Sequence, residues 1–73
     1  MSKLPVVPGK TVIKALMKLG YYVRGRESSH IHLRHPIKRP LTIPDHKEIA
    51  RGTLRAIIRD AELSVEEFRN FLK

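Results

Sequence analysis

Apolar residues recur with a helical period over residues 9–19 of the 73-residue chain. One side of this segment carries Val12, Ile13, Leu16 and Met17. The other side carries Lys10, Lys14 and Lys18. Because apolar side chains at this spacing line one face of an α-helix, the pattern predicts an amphipathic helix that ends at Gly20. The lysines are equally compatible with a solvated face and with a face that contacts a polyanion.

The period changes to two between Tyr21 and Ile43, where polar and apolar residues alternate. This predicts three short strands at residues 21–24, 29–34 and 41–43, the first two joined by a turn at residues 25–28. Successive side chains of a strand point to opposite faces. The side chains predicted to point inward are Tyr21, Val23, Ile31, Leu33, Leu41 and Ile43. Those predicted to point outward are Tyr22, Arg24, His30, His32, Arg34 and Thr42.

The helical period returns after Pro44. A core-facing stripe is formed by Leu54, Ile57, Ile58 and Ala61, and a basic stripe by Arg51, Arg55 and Arg59. Ser64 and Glu67 have the spacing of a capping box, which predicts a last short helix with Val65, Phe68, Phe71 and Leu72 as its buried face. The order is helix, three-stranded antiparallel sheet, helix, short C-terminal helix. This is an α+β fold in which helices cover one face of the sheet and leave the other open.

The length allows a single domain over residues 1–73. Pro5 and Pro8 favour extended backbone, so residues 1–8 are expected to form a flexible lead-in. The chain has no Cys, which excludes disulfides and thiolate metal sites. No signal-like apolar run follows Met1 and no stretch approaches the roughly 20 apolar residues of a membrane helix, so a soluble, cytoplasmic protein is expected.

Charge narrows the class of partner. The chain has 15 Lys+Arg against 7 Asp+Glu, which gives a formal net charge of +8. A small domain this basic favours a polyanion, with nucleic acid ahead of a membrane surface because no segment joins a long apolar face to a lysine-rich one. A merely solvated surface is the alternative.

His30 is the candidate for chemistry. The predicted second strand places it on the open face beside His32 and Arg34. An imidazole can accept or donate a proton near neutral pH, and guanidinium groups hold phosphate oxygens. From the residues alone, a surface histidine without a catalytic role is the more frequent case.

The other histidines are assigned less specific roles. His46 is expected to tie the loop between strand and helix by hydrogen bonds, and His35 to be an ordinary turn residue. A zinc site built from the four histidines is disfavoured, because His30 and His32 alone chelate poorly and no Cys is present.

The candidate RNA-binding residues are Arg24, Arg26, His32, Arg34, Lys38, Arg39, Arg51 and Arg55.

Several segments, taken in order, resemble the HicA toxins. They are Leu19-Gly20-Tyr21, Ser28-Ser29-His30, Thr42-Ile43-Pro44-Asp45-His46, the run from Gly52 to Arg59, and Ser64-Val65-Glu66-Glu67-Phe68. The similarity extends from about Gly9 to Leu72. The usual signature of the family at the histidine reads Gly-Ser-His, and here Ser28 occupies the Gly position.

The resemblance implies a double-stranded-RNA-binding-domain-like fold and the toxin of a type II toxin-antitoxin pair. Such a toxin is an endoribonuclease that cleaves mRNA and is inhibited by a HicB-type antitoxin. The histidine at the position of His30 is the catalytic residue, and no metal, organic cofactor or small-molecule ligand is implied.

Two other functions fit the same residues. A non-catalytic RNA-binding module of this fold would use His30 as a contact to RNA and would bind without cleavage. A DNA-binding helix-turn-helix built from residues 51–59 and 64–71 ranks lower, because the strands would then have no purpose.

Overall fold

Three helices and one antiparallel sheet make up the computed structural model, which describes residues 4–72. The elements in chain order are α1 (Gly9–Lys18), β1 (Tyr22–Glu27), β2 (His30–Arg34), β3 (Leu41–Pro44), α2 (Arg51–Asp60) and α3 (Val65–Phe71). The strands pair in the order β1-β2-β3, each antiparallel to its neighbour. The predicted α+β architecture and its order of elements are therefore confirmed.

The core lies between β3 and the helices. Both α1 and α2 contact β3, and α3 packs against α1 and α2. The largest fully buried side chains are Val12, Leu16, Leu33, Ile43, Leu54 and Phe68. They come from all three helices and from β2 and β3, as the apolar stripes predict. Among residues 4–72, no helix combines the length and hydropathy needed to cross a membrane.

Val23 corrects the predicted alternation on the first strand. It was expected to point inward, yet its side chain is 49% exposed. The pairing of β1 with β2 shifts between Val23 and Gly25, so that Arg24 is the extra residue of a β-bulge. Val23 pairs with the buried Leu33. It remains exposed because β1 is the edge strand farthest from β3, where the helices pack.

The expected lead-in is partly wrong. Leu4 and Val7 are buried in the core, and the Ile49 amide donates a hydrogen bond to the Val7 carbonyl at 3.0 Å. Residues 4–8 therefore form part of the packed domain, and the burial of two apolar side chains contributes to holding them there. Residues 1–3 of the predicted lead-in lie outside the described residues.

The turn between β1 and β2 is shorter than predicted. The first strand continues to Glu27, which pairs with His30, so only Ser28 and Ser29 connect the strands. Ser28 has a φ of 58°, in the left-handed region that glycine adopts without steric cost. This is the position at which the HicA signature carries Gly.

Candidate functional site

The open face of β2 carries the predicted catalytic residue. His30, the first residue of β2, is exposed, whereas Ile31 and Leu33 are buried on the other face. Antiparallel register places Glu27 on one side of His30 and Pro44 on the other. The His30 side chain makes no hydrogen bond or ion pair with any residue of the segment 4–72. Its ring is therefore available to a ligand.

A surface cavity of about 470 Å³ adjoins this imidazole. Its lining residues are His30, Thr42, Pro44, His46, Glu48, Ala50 and Thr53. They come from β2, from β3, from the loop after β3 and from the start of α2. The cavity therefore brings His30 and His46 together although they are 16 residues apart in sequence.

Main-chain hydrogen bonds fix the loop that carries His46. The Asp45 amide donates to the Ser29 carbonyl at 2.7 Å, and the Gly9 amide donates to the His46 carbonyl at 2.9 Å. The expectation that His46 ties this loop holds only for its main chain. Its exposed side chain has no hydrogen-bonding partner among residues 4–72. The approach of His46 to His30 was not predicted from the sequence, because it depends on the strand register.

The start of α2 adds positive potential to the cavity. The N-cap residue, Ala50, provides no side-chain cap for the first amide groups of the helix. Ala50 and Thr53 both line the cavity. Uncapped amides at a helix N-terminus carry a partial positive charge. Arg51 and Arg55, both exposed, belong to the first five residues of this helix.

A second cavity, of about 450 Å³, lies farther along the open face. It brings together three of the predicted RNA-binding residues, Arg24, His32 and Arg34. The His32 ring is engaged: Nδ1 lies 3.1 Å from the Thr42 hydroxyl, and Nε2 lies 3.5 Å from Glu27 Oε1. Thr42 lines both cavities, so one basic surface runs from the two arginines to His30.

Three other predicted RNA-binding residues have partners elsewhere. Arg26 forms an ion pair with Asp45 at 2.8 Å. Lys38 donates to the Ala61 carbonyl and to Glu62, both at 3.1 Å, at the C-terminal end of α2. Arg39 lies 3.8 Å from Asp60 at the same end. None of the three lines the His30 cavity. Lys38 and Arg39 are one helix length, about 15 Å, from the start of α2.

His35 is a structural residue rather than part of the site. Its Nδ1 accepts hydrogen bonds from the amides of Ile37 and Lys38 at 3.0 and 3.1 Å. This leaves Nε2 to carry the proton that it donates to the Leu19 carbonyl at 3.2 Å. The predicted turn residue thus also joins the β2–β3 loop to the end of α1. No group of three or more metal-ligating side chains among residues 4–72 is placed to hold a metal ion.

Comparison with known proteins assigns the family. Residues 9–63 match the family described as the HicA toxin of bacterial toxin-antitoxin systems. A chain of a toxin-antitoxin complex from Streptococcus pneumoniae has the same fold, with 34% sequence identity and a TM-score of 0.70. The alignment covers 78% of this chain and 98% of that one. Curated protein sequences gave no match. With its fold, its basic open face and this match over most of its length, the chain belongs to the HicA toxin family of bacterial toxin-antitoxin systems.

Proposed function

We propose that the chain is a metal-independent endoribonuclease that cleaves mRNA, with His30 as a catalytic residue. The supporting observation is the unpartnered imidazole of His30 at the edge of a cavity on a basic, open sheet face. A metal is not needed for such a reaction, because RNA carries its own nucleophile, the 2′-hydroxyl next to the phosphate that is cleaved. The enzyme must supply proton transfer and a cationic environment for the phosphate.

Basic residues around His30 are proposed to hold the RNA backbone. Arg24 and Arg34 share the second cavity, with His32 beside them, and Arg51 and Arg55 lie near the start of α2. Guanidinium groups bind phosphate oxygens through paired N–H donors. Arg26, Lys38 and Arg39 are assigned to the structure instead, because each interacts with an acidic residue and none of the three lines the His30 cavity.

An antitoxin of the HicB type is proposed as the protein partner. The similar chain from Streptococcus pneumoniae comes from a toxin-antitoxin complex. A net charge of +8 makes the open face attractive to an acidic partner surface, which would compete with RNA for the same basic side chains. The proposed compartment is the cytoplasm, where mRNA is found.

Induced expression in a bacterial host tests the proposal. We expect the original chain to arrest growth and shorten transcripts, and His30→Ala to do neither at equal protein level. General acid-base catalysis contributes about 10²- to 10⁴-fold to a rate, so removal of one imidazole should abolish toxicity. Arg69→Ala is the matched control, because Arg69 is exposed on α3, on the covered side of the sheet.

In vitro, the purified chain should cleave RNA equally well with and without EDTA. Loss of cleavage in EDTA would contradict the metal-independent mechanism. RNA binding without cleavage, in both the original chain and His30→Ala, would instead identify a non-catalytic RNA-binding module.

A further inference from the structure

The cavity beside His30 contains a second imidazole, the side chain of His46, which takes no part in the hydrogen bonds that fix its loop. We infer that His46 is the second proton-transfer group of the RNA cleavage reaction, so that His30 and His46 work as an acid-base pair. The inference rests on the proposed ribonuclease function. Its basis is that both side chains are exposed, line one cavity and have no hydrogen-bonding partner among residues 4–72.

Strand register explains why these two residues meet. His30 is paired with Pro44, the last residue of β3. Side chains two residues apart on a strand share a face, so Thr42 and Pro44 lie on the open face with His30. Both line the cavity. His46 comes two residues after Pro44 and continues this row past the end of the strand.

Tight backbone packing holds His46 in this position. The hydrogen bond from Asp45 to Ser29 links the residues that immediately precede His46 and His30. On the other side, the Gly9 amide binds the His46 carbonyl. A Cβ at Gly9 would lie 3.2 Å from the Asp45 Cα and closer still to the Pro44 carbonyl oxygen. The start of α1 therefore lies directly against the loop and restricts its movement.

Two imidazoles satisfy the proton balance of RNA cleavage. One accepts the proton of the 2′-hydroxyl as the bond from O2′ to phosphorus forms. The other donates a proton to O5′ as the bond from phosphorus to O5′ breaks. The products are a 2′,3′-cyclic phosphate and a 5′-hydroxyl, and the two rings return to their starting protonation states through solvent. No co-reactant is consumed.

Other charged residues lie near His30 and His46, and they determine which control variants the experiment needs. Glu48 lines the same cavity, and Lys10, Asp45 and Lys47 line the adjoining cavity with His46. Asp45 forms an ion pair with Arg26. Glu27 is the residue of β1 that pairs directly with His30 of β2. Glu48 is the only carboxylate in the His30 cavity among the residues 4–72, and its negative charge opposes phosphate binding. We therefore assign the second role to His46.

The experiment compares His30→Ala, His46→Ala and the control Glu48→Gln with the original chain. The substrate is an oligoribonucleotide that contains a cleavage site mapped in the cellular transcripts. A second substrate carries sulfur in place of the bridging 5′ oxygen, a leaving group that needs no proton. Thermal unfolding of every variant identifies any that fails to fold, and His46→Asn serves as a second variant that keeps polarity at this position.

We expect both His46 variants to cleave the oxygen substrate about 10²-fold or more slowly than the original chain. One of the two alanine variants, the one that lacks the acid, should recover on the sulfur substrate. Each alanine variant should also lose one limb of a bell-shaped profile of rate against pH. Glu48→Gln should keep both limbs.

Three results would separate the hypotheses. If the original chain cleaves neither substrate, the proposed ribonuclease function itself fails. If the original chain and folded His46→Ala cleave at equal rates, the function stands and the role of His46 is wrong. If both alanine variants are slow but neither recovers on the sulfur substrate, the proton donor is another group and the pair is again wrong.

Discussion

The four histidines of this chain show how far the surroundings of a residue determine its role. His35 uses both ring nitrogens to join the β2–β3 loop to the end of α1. His32 is engaged by Thr42 and Glu27. His30 and His46 face a cavity with no partner among residues 4–72. Only the last two are therefore available for a reaction, although all four are the same residue type.

The strained turn residue Ser28 gives a stability prediction. A non-glycine residue in the left-handed region costs about 1–2 kcal/mol, and the extra freedom of glycine in the unfolded chain costs about 0.5–1 kcal/mol. The first effect is larger, so Ser28→Gly should raise the free energy of unfolding by about 0.5–1 kcal/mol. Urea unfolding measures the change. Ser29→Gly is the control and should be destabilising, because Ser29 does not have a positive φ.

At the scale of elements, local hydrogen bonds secure the ends of the helices. α1 is followed by its C-cap, Leu19, and then by Gly20, which has a φ of 114°, and the Tyr21 amide donates a hydrogen bond to the Leu16 carbonyl at 3.1 Å. α2 ends in the same pattern, but Glu62 occupies the positive-φ position. The predicted capping box at the start of α3 is confirmed, with Ser64 and Glu67 bonded reciprocally at 2.8 and 3.0 Å.

The capping box predicts a dependence of stability on pH. The hydrogen bond from the Ser64 main-chain amide, more than the one from its side chain, lowers the pKa of the Glu67 carboxyl. A lowered folded-state pKa means that the stabilisation is present above the ordinary Glu value and is lost as the pH falls through the folded value. In urea unfolding, Glu67→Gln should therefore lose less stability than the original chain on acidification.

Glu66→Gln is the matched control, because it removes a charge from the same helical turn and leaves the capping box in place. If the original chain and Glu67→Gln respond equally to acid while Glu66→Gln differs, the linkage to the capping box is wrong.

Ser64→Ala should destabilise the protein at neutral pH by about 0.5–2 kcal/mol through loss of the N-cap.

At the scale of the whole molecule, the residues that stabilise the fold and the residues of the proposed site lie on different faces of the sheet. The helices pack on one face of the sheet and build the core, while the other face and the start of α2 carry the exposed Arg24, Arg34, His30, Arg51 and Arg55. The net charge of +8 is therefore combined with an open surface, which is the proposed binding site for backbone phosphates. Substitutions on the open face should alter RNA affinity with little effect on folding.

Salt dependence tests this separation. In the His30→Ala background, which is expected to prevent cleavage, Arg51→Ala with Arg55→Ala should weaken binding to single-stranded RNA at low salt. Each lost phosphate contact reduces the slope of log affinity against log salt by about 0.7, so the slope should become shallower by about 1.4. Arg59→Ala, at the other end of α2, is the control and should leave the slope unchanged. An unchanged slope in the double variant would contradict the assigned contacts.

The sequence by itself determined the order of elements, the apolar stripes of the helices, the alternation along β2 and the capping box of α3. These features arise from neighbouring residues, whose hydrophobic period and capping chemistry can be read directly from the sequence. The exposure of His30 on the open face of the sheet was also predicted there. Tertiary structure decided the bulge at Arg24, the exposure of Val23, the burial of Leu4 and Val7, and the approach of His46 to His30. Each of these depends on strand register or on packing between segments distant in sequence, which a local pattern does not specify.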